Sequence, residues 1–119
     1  MIQHNLKRFP PDPDRWSSYY DLSDLDSDVD VLVEAGVDEI WYWYAVGSYE
    51  GSGQMILRRR DRFWHHDLGH CSCYGPVDHI NLRGEASWPS LEKLEQSMSP
   101  DMMVDVGILF EAARKDGYK

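Results

Sequence analysis

Long apolar runs are missing from this sequence, and so is a disulfide framework. No stretch approaches the roughly 20 consecutive apolar residues of a membrane-spanning helix. The polar first residues lack the apolar core of a secretory signal peptide. The two cysteines, Cys71 and Cys73, are separated by one residue, a spacing at which a disulfide between them would be strained. We therefore expect a protein with no membrane segment, in the reducing environment of the cytoplasm.

Basic residues are also scarce. The chain has 12 lysines and arginines against 21 acidic residues, for a net charge of −9. Ten of the acidic residues and only three of the basic ones lie in residues 1–40. This excess of negative charge argues against nucleic acid as a partner, because it repels phosphate groups. It favours a partner protein with a basic surface. The simpler explanation of the negative charge is that it keeps the protein soluble.

Apolar residues are abundant enough for a folded domain. They make up 42% of the 119 residues, which suffices for a core without a disulfide, a metal ion or another cofactor. Three prolines near residue 10 exclude a helix there and keep the chain extended. We expect one domain, residues 1–119, made of an N-terminal arm (1–20), an acidic helical segment (21–36), a β-meander (39–82) and helices (87–116).

An alternating run of aspartates in the acidic segment invites comparison with a calcium-binding loop. Such a loop needs glycine at its sixth position and glutamate at its twelfth, which here are Val29 and Ala35. The pattern instead predicts a short helix that Ser27 caps and Gly36 ends. The aspartates would then form an acidic surface for the partner protein; they are Asp24, Asp26, Asp28 and Asp30.

Residues 39–67 show the period-two alternation of β-strands. The first strand is apolar on both faces, so we expect it to be central in the sheet and covered on both sides. Glycines and short polar pairs mark the turns. The predicted strands are Glu39–Tyr49, Gln54–Arg59 and Arg62–Asp67, with turns at Glu50–Gly53 and Arg60–Asp61 and a fourth short strand at Val77–Leu82.

Two helices are predicted after the sheet, each with a serine cap and a proline near its start. The first covers Ser87–Ser97, and the second begins after Ser99 and stops at Gly117. The expected fold is α+β. It consists of an antiparallel meander of three or four strands, with the C-terminal helices packed on one face and an extended N-terminal arm across it.

Histidines and cysteines cluster after the third predicted strand. Imidazole and thiolate suit zinc, but the spacing Cys-x-Cys differs from the Cys-x2-Cys of zinc knuckles. Neighbouring histidines in a strand point to opposite faces, so only one of His65 and His66 can join a site. The alternatives are a purely structural turn and a zinc-stabilised binding module. The candidate ligands are His66, His70, Cys71, Cys73 and His79.

The two cysteines are also candidate nucleophiles. Asp67 and the nearby histidines supply the other residue types of a cysteine hydrolase. A reactive thiol is usually activated by an imidazolium or by the N-terminus of a helix. Gly75 and Pro76 follow the cysteines directly, so no helix begins at either one. A hydrolase therefore ranks behind an interaction role and a zinc module.

Arginines gather at the second predicted turn, beside Phe63 and Trp64. A basic and aromatic combination of this kind can hold a nucleic-acid backbone or stack a base. Because the net charge opposes that use, we expect a tip that clamps an acidic protein surface or is simply solvated. The candidate partner-binding residues here are Arg58, Arg60 and Arg62.

Two motifs, residues 47–53 (GSYEGSG) and 67–76 (DLGHCSCYGP), resemble small uncharacterised proteins encoded by bacteriophages and bacteria. The resemblance carries no activity to any residue and implies an origin in a phage or mobile element. Small acidic proteins of that origin often bind a host protein. We therefore expect a non-enzymatic interaction factor that inhibits or redirects a host protein, with a zinc-stabilised module as the alternative and a cysteine hydrolase third.

Overall fold

The computed structural model describes residues 1–7, 18–19, 28–46, 51–68 and 82–119. Together these residues form five strands and three helices. The strands are β1 (Ile2–Asn5), β2 (Ser18–Tyr19), β3 (Glu39–Val46), β4 (Gly51–Arg59) and β5 (Arg62–Asp67); the helices are α1 (Asp28–Glu34), α2 (Leu91–Gln96) and α3 (Pro100–Lys115).

All five strands join one sheet, in the order β1-β3-β4-β5, with β2 beside the far end of β3. Strands β3, β4 and β5 are antiparallel, as predicted. Strand β1 runs parallel to β3, with Ile2 opposite Glu39 and Asn5 opposite Tyr42. The α+β class is thus confirmed, but the sheet is mixed and is not a purely antiparallel meander.

The predicted N-terminal arm is wrong for its first residues. Residues 2–5 are a strand because they hydrogen-bond to β3: the Ile2 N–H donates to the Asp38 carbonyl at 2.9 Å, and just past the strand the Leu6 N–H donates to the Tyr42 carbonyl at 2.7 Å. The sequence Ile-Gln-His-Asn has one large apolar residue, so it carries no period-two signal. The proline-containing part of the arm lies outside the described residues.

The predicted turn at Glu50–Gly53 is also wrong, since Gly51 and Gly53 belong to β4. Both glycines lie opposite the end of β3, with Gly53 facing Tyr44. A Cβ on Gly53 would lie 2.2 Å from the Trp43 carbonyl oxygen, and one on Gly51 would lie 2.2 Å from the Tyr44 hydroxyl. Close packing therefore requires these glycines, and residues 47–50 lie outside the described part of the chain. The second predicted turn is present, with Arg60 at φ 56°.

Strand β3 is central, as predicted, because it pairs with β1 on one edge and β4 on the other, and buried side chains cover both of its faces. On one face, called the helix face, Trp41 and Trp43 pack with Ile56 and Phe63 against α2 and α3. Tyrosines of β3 occupy the opposite face. There they pack against Leu32 of α1, Val37, Met55, Leu57, Trp64, Leu68 and Leu82.

Serine caps begin the two C-terminal helices, as predicted. The Ser90 side chain accepts a hydrogen bond from the Lys93 N–H, and the Ser99 side chain accepts one from the Met102 N–H. Pro100 occupies the first position of α3, where its missing N–H costs nothing. These local signals fix where both helices start.

The first of these helices is shorter than the predicted Ser87–Ser97. It begins at Leu91, because Trp88 continues the sheet edge in a backbone bridge with Phe63 of β5. The fourth predicted strand, Val77–Leu82, lies outside the described residues except for Leu82, which is buried in a turn. Of the helices that the structure describes, none has the length and hydropathy needed to cross a membrane.

Candidate functional site

Glu39 is the only buried residue with a charged side chain in the described part of the chain, at 4% exposure. It begins β3 and lies on the helix face. One carboxylate oxygen, Oε1, accepts hydrogen bonds from the Tyr118 hydroxyl at 2.6 Å and from Arg58 Nη2 at 3.2 Å. The other oxygen, Oε2, lies 2.7 Å from His4 Nε2. A buried carboxylate with three hydrogen-bonding partners is the centre of the candidate site.

Strand pairing brings two of these partners to Glu39. Antiparallel register places Arg58 of β4 directly opposite Glu39, so the two side chains share one face of the sheet. Parallel register places His4 of β1 beside Trp41. The His4 and Trp41 rings stack with their centroids 5.3 Å apart and their planes 8° apart, which holds the imidazole in place.

The end of α3 brings the third partner. Gly117 has a left-handed φ of 100°, and the Tyr118 N–H donates back to the Ala113 carbonyl at 3.2 Å. This Schellman ending reverses the chain, so that Tyr118 lies over the sheet with its ring against Trp41 and Phe63. The Arg58 guanidinium lies 5.0 Å from the centre of the Tyr118 ring, a cation–π arrangement.

A second carboxylate, that of Asp116, completes the arrangement. Asp116 caps the C-terminus of α3, and its Oδ2 accepts a hydrogen bond from the Trp41 indole at 2.8 Å. The same oxygen lies 3.6 Å from His4 Nε2. Single ligand atoms of His4, Glu39 and Asp116 all lie within 4.8 Å of one another. We call His4, Glu39, Arg58, Asp116 and Tyr118 the Glu39 cluster.

Hydrogen bonds keep Glu39 ionised despite its burial. Burial by itself raises the pKa of Glu39, but hydrogen bonds from Tyr118, His4 and Arg58 outweigh it and hold the pKa below its ordinary value. The hydrogen bond between Tyr118 and Glu39, together with burial, raises the pKa of Tyr118. The cluster therefore contains a carboxylate anion beside a neutral phenol, and it can bind a cation.

The arginines predicted to form one binding tip are divided by the structure. Arg58 turns into the Glu39 cluster and also approaches Asp38 at 3.8 Å. Arg62 hydrogen-bonds to the Ser87 hydroxyl through Nε at 3.0 Å. Arg60 is exposed at the turn. Arg60 and Arg62 are thus both exposed near the turn, whereas Arg58 belongs to the Glu39 cluster.

The aromatic neighbours of this tip serve the fold. Arg59 donates to the Ala35 carbonyl at 3.2 Å, just after the C-terminus of α1, and its guanidinium lies 5.2 Å from the centre of the Trp64 ring. Cations are favoured at the C-terminal end of a helix. The basic and aromatic side chains thus hold α1 to the sheet, which supplies a structural reason for their presence.

Of the predicted metal ligands, only His66 lies in the part of the chain that the structure describes. His66 Nδ1 lies 3.3 Å from Glu85 Oε1. His65 lies on the helix face, across from Ile56, so the two histidines do point to opposite faces. Burial lowers the pKa of His65, whose Nε2 lies 2.5 Å from Gln54 Oε1. His70, Cys71, Cys73 and His79 lie outside the described residues.

The acidic partner-binding candidates are described only in part. Asp28 begins α1, and Asp30 is exposed one position before Val31. Asp24 and Asp26 lie outside the described residues. The cluster residues His4, Glu39, Asp116 and Tyr118 were not predicted as a site. One signal was available for them: Glu39 is a charged residue at the head of a strand that is otherwise apolar.

Comparisons with known proteins add no assignment to this geometry. No protein-family model, curated protein or solved structure matches the chain.

Proposed function

We propose that this protein is a small, acidic, non-enzymatic interaction factor. Its partner is a protein with a basic surface, and its binding surface is the exposed side of α1. The resemblance of residues 47–53 and 67–76 to proteins of bacteriophages and bacteria favours a host protein as the partner. Binding would inhibit or redirect that host protein. The observation that carries the proposal is that α1 exposes two valines, Val31 and Val33, between the acidic residues Asp30 and Glu34.

Apolar exposure on α1 is large for so short a helix. Val33 is 52% exposed and Val31 36%, whereas Leu32 between them is fully buried against the sheet. An amphipathic helix that only covers a core keeps such side chains on its buried face. Burying a valine completely in an interface contributes roughly 1.5 kcal/mol or more. Val31 and Val33 therefore lie on opposite flanks of the helix, and each leaves apolar surface exposed.

Charge around the valines suits a basic partner. Asp30 and Glu34 are exposed on the same helix, and Asp38 is exposed just after it. Acidic groups at the rim of an apolar contact speed the encounter with a positive surface and select against negative ones. The exposed side of α1 thus carries acidic side chains, Asp30 and Glu34, with a partly exposed valine on each flank.

Contacts of its C-terminal end attach α1 to the sheet. The Val37 N–H donates to the Leu32 carbonyl at 3.1 Å in a Schellman ending at Gly36, and both side chains are buried together. Arg59 bonds to the carbonyl of Ala35 at the same end. A surface ordered before binding loses less conformational entropy when the complex forms.

The test uses two matched double variants. Val31→Ser with Val33→Ser removes the apolar contact on α1, and Val104→Ser with Ile108→Ser makes the same change on α3, where Val104 is 70% exposed. Serine and valine have similar helix propensities, so both variants should stay folded. A partner is first captured from host lysate with the parent protein and is then measured by surface plasmon resonance. We expect the α1 variant to lose at least tenfold in affinity and the α3 variant to bind like the parent.

Two results would contradict the proposal. Equal affinity of the α1 variant and the parent would show that the valines do not contact the partner. An affinity that does not fall with rising salt would show that charge does not contribute, since screening acts within about 10 Å at 0.1 M salt.

A further inference from the structure

We propose that His4, Glu39 and Asp116 form a binding site for a divalent first-row transition-metal ion. They offer one imidazole nitrogen and two carboxylate oxygens, and these atoms lie within 4.8 Å of one another. Imidazole with carboxylate is a donor set that zinc and its neighbours in the first transition row accept, with water in the remaining positions. This site is distinct from the histidines and cysteines of residues 65–79 and does not depend on the interaction role.

The His4 and Asp116 donor atoms already have the spacing that such an ion requires, and the Glu39 donor atom lies closer to His4. Ligand atoms about 2.1 Å from a tetrahedral ion lie roughly 3.4 Å from each other. His4 Nε2 lies 3.6 Å from Asp116 Oδ2 and 2.7 Å from Glu39 Oε2. The shorter distance is that of a hydrogen bond. The ion would replace the proton between Nε2 and Oε2, and these two atoms would separate by less than about 1 Å.

Neighbouring groups already orient all three donors. Tyr118 and Arg58 both bond to Oε1 of Glu39, which leaves Oε2 directed at His4. Trp41 fixes the other two ligands, because its ring stacks on His4 and its indole N–H donates to Asp116. Outer hydrogen bonds of this kind raise the affinity of a site by holding its ligands in the binding geometry.

Access and charge are also suitable. The side chains of His4 and Asp116 are 28% and 38% exposed, so an ion can reach the site from solvent, whereas Glu39 forms its floor. Two carboxylates balance the charge of a divalent ion. The Arg58 guanidinium donates to Oε1 of Glu39, the oxygen that does not face His4. Its positive charge lowers the affinity for the metal ion, but the guanidinium does not occupy the site. The bound ion would link β1, β3 and the end of α3.

Cobalt(II) is the probe that separates this site from the histidine and cysteine segment, because thiolate ligands give it an intense near-ultraviolet charge-transfer band. We expect the full-length parent to bind one cobalt ion per chain, without that band, and to bind zinc in competition with it. Isothermal titration gives the affinity, and thermal unfolding with and without the ion reports the link between segments.

Two variants remove one ligand each and keep its structural contact. Asp116→Asn retains an oxygen for the Trp41 indole, and His4→Phe retains a ring to stack on Trp41. Each should lower the affinity for cobalt at least tenfold. His66→Gln is the matched control, because His66 also faces a carboxylate, that of Glu85, but has no third ligand near it among the described residues. This control should bind cobalt like the parent.

Absence of binding by the parent at millimolar cobalt would overturn the proposal. So would a thiolate band that disappears in Cys71→Ser with Cys73→Ser, together with unchanged affinity in Asp116→Asn. Thermal unfolding of each variant shows whether it is folded. The two ligand variants act on different elements, and loss of binding in either folded variant supports the site.

Discussion

Tyr118 donates its hydroxyl hydrogen to Glu39 across 2.6 Å, although 79 positions separate the two residues in the chain. The bond joins the end of α3 to the start of β3, the central strand. Because Glu39 is buried and ionised, each donor that reaches it compensates for the hydration that the carboxylate has lost. A small number of polar contacts in the Glu39 cluster therefore join the end of α3 to the sheet.

Tyr118→Phe should destabilise the protein by about 1.5–3 kcal/mol, the usual contribution of a hydrogen bond to a charged group. The ring stays, so its edge-on contacts with Trp41 and Phe63 are kept. Urea unfolding followed by tryptophan fluorescence gives the change. A double-mutant cycle with Glu39→Gln isolates the pair. A loss below about 0.5 kcal/mol would show that the bond does not stabilise the fold.

Glu39 should also make stability depend on acid pH. Burial raises its pKa, but the hydrogen bonds from Tyr118, His4 and Arg58 lower it below the ordinary value of 4.5. The folded state thus favours the ionised form, and this stabilisation is complete above about pH 4.5 and is lost as the pH falls through the folded-state pKa. The free energy of unfolding of the parent should therefore approach that of Glu39→Gln as the pH is lowered from 6 towards 3. A constant difference between the two proteins across that range would contradict the lowered pKa.

Two glycines of the C-terminal region should respond in opposite directions to alanine. Gly117 has a φ of 100°, which an alanine side chain opposes, so Gly117→Ala should cost about 1–2 kcal/mol. Gly107 lies within α3, and an added Cβ would meet only the Met103 methyl at 4.0 Å. Gly107→Ala should therefore stabilise by up to about 1 kcal/mol through helix propensity. Thermal unfolding of the two variants compares them directly. A Gly117→Ala variant that is as stable as the parent would show that the turn at Gly117 does not require glycine, and a destabilised Gly107→Ala variant would contradict the expectation for α3.

Sequence signals predicted those features of the fold that depend on neighbouring residues. Ser99 and Pro100 start α3, Gly117 ends it, and alternation in β3 gives both buried faces. These are interactions within one or two turns of chain, so the local residues suffice to determine them. Gly51 and Gly53 show the limit of this reasoning. Glycine is as favourable in a turn as beneath a large side chain, and only the packing of Tyr44 distinguishes the two.

Local sequence signals do not predict the candidate site, because its members come from distant parts of the chain. His4 and Glu39 are 35 positions apart, and Trp41 and Asp116 are 75 apart. No periodicity links such residues; they meet only because β1 pairs in parallel with β3 and α3 crosses the same face. The sequence predicts Arg58 as a partner-binding residue, but its place beside Glu39 depends on strand register, which the sequence pattern does not determine.

The acidic segment should increase the rate at which the protein associates with its basic partner. Replacing Asp24, Asp26, Asp28 and Asp30 by Asn should slow association with the basic partner roughly tenfold at low salt, because like charges at a rim act on the encounter over long distances. The dissociation rate and the melting temperature should stay close to those of the parent.

Stopped-flow or surface plasmon resonance measurements between about 20 and about 500 mM salt give both rate constants. The difference in association rate between variant and parent should vanish at the highest salt concentration, where the charges are screened. Arg60→Gln is the matched control, since Arg60 is exposed whereas Arg58 and Arg62 are held by Glu39 and Ser87. If the four-asparagine variant associates as fast as the parent at low salt, the acidic segment serves solubility alone; if Arg60→Gln is the slower of the two, the partner surface is acidic and meets the arginine turn instead.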